Sequence, residues 1–279
     1  MKKIIFTLAI LCSLLTSSEV FALKVMTFNI WTGKSRKAEH FIEIIKKADP
    51  DIVILNEAND PKVFHQIADQ LKYERVLSIH KKYFVGVLSK FKIESHEFYF
   101  LDTLSKSLVE VKVTVPGFNK PLWVFGCHLV ALNLKRRNKK RAIEIESILP
   151  YIEKRMGDHV IFAGDMNEVS HLDKKMPEKC ISRSIAAIGL IDSFRAYHDD
   201  PQKKPGFTHV ILVVPTKRID YIYVSGQLEV LESETIGKKN YKPWPSDHAA
   251  VLTKLKLKEL ISPKASEKLS IEANTMHKE

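Results

Sequence analysis

The sequence is poor in the residues that mark several common classes of protein. It has only 3 Cys, and no two of them stand at zinc-ligand spacing, which leaves no zinc finger. It contains no His-Glu-x-x-His and no Gly-x-Ser-x-Gly, so zincin and serine-elbow chemistry lack their residues. Gly33-Lys34-Ser35 matches the end of a phosphate-binding loop, but Phe28 stands where the first glycine of that loop belongs. Glycine is scarce, at 10 of 279 residues, and no repeat or Gly/Ser-rich or Pro-rich linker interrupts the chain. Collagen-like and low-complexity classes are excluded, and 45% hydrophobic residues exclude a mostly disordered chain. Acidic residues are also short, 33 against 44 Lys and Arg, for a formal charge of +11. Such an excess admits an acidic partner but argues nothing about fold.

No apolar run reaches the roughly 20 residues of a membrane-spanning helix. The longest, Ile4 to Leu15, follows Lys2 and Lys3 and leads to Val20-Phe21-Ala22, the order of a cleaved secretory signal. Bulky Leu11 before Cys12 disfavours lipid attachment there. Removing residues 1–22 takes away two Lys and one Glu, leaving 257 residues and a charge of +10. An exported, periplasmic or secreted protein is expected. Cys127 and Cys180 remain in it and could be joined, but one pair fixes no scaffold. From Lys258 to Glu279 apolar periodicity is lost, with four Lys against four Glu, which predicts a polar tail. Residues 23–257 are therefore expected to form one domain, with no feature that specifies a protein partner or anything beyond a monomer.

Within that domain, β-branched and aromatic runs predict strands at Leu23–Ile30, Asp51–Leu55, Tyr83–Leu88, Leu108–Val115, Leu122–His128, His159–Ala163, Ile219–Val224 and Ala249–Leu257. Helical patterns fit Arg36–Ala48, Pro61–Leu71 and Asn138–Arg155. The second has Asp60 as N-cap and Pro61 at its first position. The third is expected to break or kink at Pro150, with Ile143, Leu149 and Ile152 facing a sheet. Strands alternating with helices predict a layered α/β sandwich.

Polar residues interrupt these runs in a consistent place. Asn29 ends the first, Glu57 follows the second, and His128 closes Trp123-Val124-Phe125-Gly126-Cys127. Asp165 and Asn167 follow Val160-Ile161-Phe162-Ala163-Gly164, Asp220 sits between Ile219 and Tyr221, and Asp247-His248 precedes the last strand. Strand ends in layered α/β proteins are where clefts and ligands lie. Asn29, Asp165 and Asn167 also suit ordinary turns, and His128 taken alone suits a core histidine. Asp220 is different, because a carboxylate among apolar strand residues needs a buried partner, for which His248 is the candidate.

Taken together, Thr27-Phe28-Asn29-Ile30-Trp31, Asn56-Glu57, Gly86-Val87-Leu88-Ser89-Lys90, Cys127-His128-Leu129, Gly164-Asp165-Met166-Asn167, Arg218-Ile219-Asp220-Tyr221 and Ser246-Asp247-His248 resemble the endonuclease/exonuclease/phosphatase superfamily, the deoxyribonuclease I-like fold. The resemblance implies a four-layered α/β sandwich, two mixed β-sheets packed face to face and flanked by helices. It also implies metal-dependent hydrolysis of phosphate esters with Mg²⁺, for which Mn²⁺ could substitute. Glu57 would coordinate the metal, with Asn29 and Asp247 completing or orienting its shell. Asp165 and Asn167 would orient the attacking water, Asp220 would hold one tautomer of His248, and His128 would act from the far side. Either Asp165 or His248 could be the general base.

His128 stands where abasic-site nucleases of this fold carry a tyrosine-centred arrangement, and Asn167-Glu168-Val169 departs from the inositol polyphosphate 5-phosphatase pattern. Substrate choice then rests on charge. Lys135-Arg136-Arg137-Asn138-Lys139-Lys140-Arg141 carries six positive charges soon after His128, at a helix start where the macrodipole disfavours cations and favours an anionic ligand. The run is either a solvated face or a substrate patch centred on Arg136 and Arg137. The expected activity is that of an exported Mg²⁺-dependent nuclease-like phosphodiesterase, on a polyanionic or membrane-surface phosphate ester, with nucleic acid favoured. The alternative is a phospholipid phosphodiesterase or phosphatase, sphingomyelinase-like or phosphoinositide-directed. Tyr241-Lys242-Pro243-Trp244-Pro245 is either an aromatic rim or a packed turn.

Expression of the whole chain in a bacterial host should give an exported product whose amino terminus is Leu23, read by mass spectrometry; an exported product that retains Met1 would contradict the cleaved signal.

Overall fold

The computed structural model describes residues 21–32, 37–79, 83–131, 135–211, 214–240 and 242–258. The first 20 residues of the expected signal, the Gly33-Lys34-Ser35 stretch, Arg36, Tyr241 and the tail beyond Lys258 lie outside them. In chain order the elements are β1 (Leu23–Asn29), α1 (Ala38–Ala48), β2 (Ile52–Asn56), α2 (Pro61–Leu71), β3 (Glu74–Ser78), β4 (Val85–Ser89), β5 (Ile93–Tyr99), β6 (Leu108–Val113) and β7 (Leu122–His128). They continue with α3 (Lys135–Glu153), β8 (His159–Asp165), α4 (Ile181–Ala187), β9 (Leu190–Asp192), α5 (Ser193–Tyr197), β10 (His209–Ile211), β11 (Val214–Lys217), β12 (Asp220–Ser225), β13 (Leu228–Ile236) and β14 (Ala250–Leu257).

Two six-stranded sheets form, in the orders β13-β14-β1-β2-β4-β3 and β5-β6-β7-β8-β12-β9. Each is mixed, with one parallel pair at its centre, β1 with β2 and β7 with β8. The period-2 alternation of strands divides the apolar residues between three cores. Val25, Ile52, Ile54, Val124 and Ile161 fill the space between the sheets. Met26, Phe28, Val53 and Leu55 point the other way, onto α1 and α2. Phe125, Phe162, Tyr221 and Tyr223 point onto α3 and α4. The result is the four-layered sandwich expected.

Local sequence explains the helices. Asp60 accepts hydrogen bonds from the Lys62 and Val63 backbone N–H groups, and Pro61 opens α2. In α1, Ala38, Phe41, Ile42 and Ile45 form the buried face, and Lys46 and Lys47 suit the negative end of the helix dipole. In α3, Ile145, Ile148, Leu149 and Ile152 face the core, but Ile143 does not; it is 49% exposed. At 100° per residue, Ile143 lies about 200° around the helix from Ile145 and so faces water. The helix also runs past Pro150 to Glu153, held by the buried Leu149 and Ile152 on either side. Cys127 and Cys180 are both buried and free. No helix among the described residues is long and apolar enough to cross a membrane.

One polar contact ties the two sheets together. Asn56, fully buried at the end of β2, donates from Nδ2 to the Cys127 carbonyl at 2.8 Å and accepts on Oδ1 from the Asp165 N–H at 3.0 Å. A single side chain of one sheet thus satisfies backbone groups on both parallel strands of the other. Gly164 makes room for it. Its φ is +143°, and a Cβ there would stand 1.8 Å from the Cys127 carbonyl oxygen and 3.2 Å from Asn56 Oδ1.

Asn56→Ala should therefore lower unfolding free energy by about 2–4 kcal/mol, since two buried backbone groups lose their partners. Gly164→Ala should cost about 3 kcal/mol or more, against about 1 kcal/mol for the N-cap change Asp60→Ala. Urea denaturation checks the order, and an Asn56 variant no weaker than the Asp60 variant would contradict the bridge.

Candidate active site

Register brings the singled-out residues to one end of the sandwich. Asn29 pairs with Asn56 at the carboxyl ends of β1 and β2, and His128 pairs with Asp165 at the carboxyl ends of β7 and β8. Asp220, the first residue of antiparallel β12, also pairs with Asp165. Asp247 and His248 stand just before β14, which runs antiparallel to β1. Six chain segments thus deliver their polar residues to a single edge.

Asp165 is the centre, 1% exposed. Its Oδ2 accepts from Asn29 Nδ2 at 3.0 Å and lies 3.4 Å from His128 Nε2 and 3.9 Å from His248 Nε2. Its Oδ1 accepts from the Asn167 N–H at 2.9 Å. Asn167 adopts φ +53° and donates from Nδ2 to the Leu129 carbonyl, which fixes the turn after β8. On the other side of His248, Nδ1 lies 2.8 Å from Asp220 Oδ2, so the buried carboxylate has the partner it needs. Asn29 Nδ2 also reaches Glu57 Oε1 at 3.3 Å, and Asn29 Oδ1 accepts from the Trp31 N–H. In this arrangement Asn29 turns its amide nitrogen to the carboxylates and orients them. Glu57 itself sits at φ +56°, a strained conformation for a non-glycine residue, directly after the end of β2.

Burial and neighbouring charge set the protonation of these groups. Burial pushes Asp165 up to about 7, with the Asp220 charge adding to it and the charges of His248 and Lys106 opposing. Burial also disfavours the His248 charge, but Asp220, Asp165 and Asp247 outweigh it and raise the imidazole to about 10. His128 goes the other way, held well below the usual imidazole range by burial and by the positive charges of Lys106 and His248. Two histidines on either side of one carboxylate therefore differ in charge at neutral pH. Burial raises Glu57 as well, against the Asn29 hydrogen bond.

Several residues of the site carried no clear sequence signal. Lys106, between β5 and β6, is 5% exposed, donates from Nζ to the Leu129 carbonyl at 2.6 Å and lies over the Tyr83 ring. Burial lowers it to about 8, while Asp165, Glu144 and Glu57 hold its charge. Thr208 Oγ1 accepts from the Ile219 and Asp220 N–H groups, and its carbonyl accepts from the Ala249 N–H, so one threonine positions both partners of the Asp220–His248 pair. The His209 ring packs on His248 with centroids 4.8 Å apart. Ser246 Oγ donates to the Asn29 carbonyl and accepts from the His248 N–H. Ser246 and Asn56 stood in motifs quoted from the sequence, but only for the residues beside them; Lys106 and Thr208 stand in loops of ordinary composition, and His209 opens the three-residue strand β10.

The basic run after His128 is not one surface. Arg141 is fully buried, 3.5 Å from Glu168 and bonded to the Val130 carbonyl, and Lys140 donates to the Thr103 carbonyl. Arg136 is exposed and Arg137 half-buried on the first turn of α3. Trp244 is a packed residue, with Nε1 donating to the His248 carbonyl and its ring 5.3 Å from that of Phe28.

In metal-free protein, the His248 imidazole should titrate near pH 10 by NMR, and in Asp220→Asn it should fall by more than one unit. A His pKa raised above its unfolded value of about 6.5 contributes stability that is complete below that value and lost as pH rises through about 10. The variant should lose this alkaline dependence; a His248 titration unmoved by the substitution would contradict the pairing.

Comparison with known proteins agrees with the fold. No curated protein sequence matches the chain. Among solved structures, an endonuclease/exonuclease/phosphatase from Beutenbergia cavernae superposes with a TM-score of 0.68 at 20% identity, over 85% of this chain and 72% of that one. Truncated Caenorhabditis elegans TDP2 gives 0.65 at 21% identity, over 85% and 98%. D. rerio TDP2 complexed with a single-strand DNA product gives 0.64 at 17% identity, over 84% and 99%. The model of the Endonuclease/Exonuclease/phosphatase family matches residues 26–248, which begins in β1 and ends on His248. The chain belongs to the endonuclease/exonuclease/phosphatase family, whose members are phosphoesterase hydrolases.

Proposed function

We propose that the protein is an exported, Mg²⁺-dependent nuclease-like phosphodiesterase that hydrolyses nucleic acid with an activated water. The observation that carries this reading is the setting of Asp165, a buried carboxylate faced by Asn29, His128 and His248, with a proton affinity raised to about 7. A general base works best with a pKa near the operating pH. His248, charged and locked to Asp220, suits the opposite task of offering positive charge and a hydrogen bond to a phosphoryl oxygen. Geometry and charge thus favour Asp165 as the base.

The residues present fit a divalent cation. Asp247 Oδ1 is buried with no hydrogen-bond partner among the described residues, and the electrostatic influence of Asp247 reaches Glu57. Hard carboxylate oxygens of this kind suit Mg²⁺ or Mn²⁺. Glu57 and Asp247 would hold the ion, oriented by Asn29. When bound, it supplies positive charge against the phosphoryl oxygens. The protein's own groups do the rest. Asp165 takes the proton of the water, and Asn167 steadies Asp165 through its backbone N–H. His128, neutral, faces Asp165 as His248 does and can donate a hydrogen bond to a phosphoryl oxygen, and buried Lys106 adds its charge.

Two further points support the substrate and the location. The D. rerio relative of this fold is described with a single-strand DNA product. Strand β1 begins at Leu23, so removal of residues 1–22 takes no strand from the sandwich and only the Phe21 ring, which packs edge-on against Phe91 at 6.0 Å.

Residues 23–279 should cleave plasmid DNA or RNA with Mg²⁺, lose activity with a chelator and regain part of it with Mn²⁺. Asp165→Ala and His248→Ala should each lower kcat by about 10²–10⁴. Cleavage that survives both substitutions, or turnover of sphingomyelin or phosphoinositide alone, would contradict the nuclease reading.

A further inference from the structure

A groove of about 550 Å³ opens at the catalytic end of the sandwich, against the segment that carries His248. Its lining includes Gly206, Trp244 and Ala249, all buried, and the rim carries Lys203 and Lys204 before β10 and Lys238 and Lys239 after β13. The position follows from register. The last residue of β13, Ile236, pairs with Ala250 at the start of β14, and Ala249 and Trp244 are hydrogen-bonded to Thr208 and to the His248 carbonyl. The groove therefore shares backbone with the site.

Its chemistry is distinctive. Two lysine pairs from separate segments meet on one concavity, and no carboxylate among the described residues lines it. Lys203 lies 3.6 Å from Asp200, but the lysine is 84% exposed, and such a pair holds its charge only weakly. Phe207 lines the same groove, its aromatic side chain left 39% exposed. Lysines that track phosphates beside an aromatic face that stacks a base are the means by which proteins hold single strands. A duplex keeps its base faces covered, and an anionic bilayer calls for a protruding surface rather than a groove. The α3 run is a weaker candidate, since Arg141 is spent on Glu168 and Lys140 on a carbonyl.

We propose that this groove binds a single strand of nucleic acid and leads it to the site, with phosphates on Lys203, Lys204, Lys238 and Lys239 and a base on Phe207. The proposal rests on the phosphodiesterase reading and gives that reading its substrate form.

The test is fluorescence anisotropy of a short labelled single-stranded oligonucleotide, with chelator present so that nothing is cut, across a range of salt. The quadruple variant Lys203→Ala/Lys204→Ala/Lys238→Ala/Lys239→Ala should bind more than tenfold more weakly near 0.1 M salt. Its log–log salt slope should flatten by about 2.8, since each lost phosphate contact on a single strand removes about 0.7. Phe207→Ala should weaken binding by about tenfold with the slope unchanged. Lys120→Ala/Lys154→Ala, at the far end of β7 and α3, should leave the slope as it is, and thermal unfolding should show every variant folded. If the parent binds and cleaves oligonucleotides while the quadruple variant keeps its affinity and slope, the groove is overturned and the phosphodiesterase reading stands. Equal losses in the far-end variant, or a loss confined to phosphatidylserine vesicles, overturn the groove as well. A parent that neither binds nor cleaves any nucleic acid overturns both.

Discussion

The structure depends on the bridge that Asn56 makes between its sheets. Sheet-on-sheet packing of apolar side chains is non-directional and tolerates sliding. A candidate site assembled from both sheets does not. Asn56 is buried where two parallel strands of the opposite sheet end, and it takes the Asp165 N–H and the Cys127 carbonyl together. Those two groups adjoin the acid and the histidine of the site, so the contact that fixes the sheets also fixes Asp165 and His128. Gly164 is required beside it because no side chain fits between Asn56 and the Cys127 carbonyl.

Once the ends are held, electrostatics follows from where the charges are forced to sit. Asp165 and Asp220 are adjacent in register and both buried, so they cannot be equally content as anions. His248 lies between them and is bound more tightly to Asp220, at 2.8 Å against 3.9 Å. Burial and the Asp220 charge raise the proton affinity of Asp165. Lys106 and the His248 charge then keep His128 neutral. An arrangement of one cationic and one neutral histidine about a carboxylate near neutrality is thus a consequence of burial and spacing.

Much of this was legible in the sequence, and the reasons for the rest are physical. Every strand that runs through the middle of a sheet announced itself by a β-branched run, as in Ile52-Val53-Ile54-Leu55. The edge strands did not. In β5, Ile93-Glu94-Ser95-His96-Glu97-Phe98-Tyr99 is largely exposed, and β13 carries Glu229, Glu232 and Glu234 toward water. Short elements such as β9, α4 and α5 are set by tertiary contact and leave no period to read. The candidate site residues were visible because they broke apolar runs, most of them at an end and Asp220 between Ile219 and Tyr221. Thr208 and Lys106 were not, because their roles are hydrogen bonds to backbone groups distant in sequence. The basic run showed the limit of composition most clearly: Arg141 looked like part of a surface patch and lies inside the protein, while the lysines that line one groove with Phe207 come from two segments that only the fold joins.

In the proposed mechanism, a water deprotonated at Asp165 attacks phosphorus directly. Single-turnover cleavage of an oligonucleotide in water enriched in heavy oxygen, with the product phosphate read by mass spectrometry, tests this most directly. Direct attack puts one heavy oxygen in the new terminal phosphate from the first turnover. A product that carries only the light isotope, with the label appearing in the protein or in later turnovers, would contradict it.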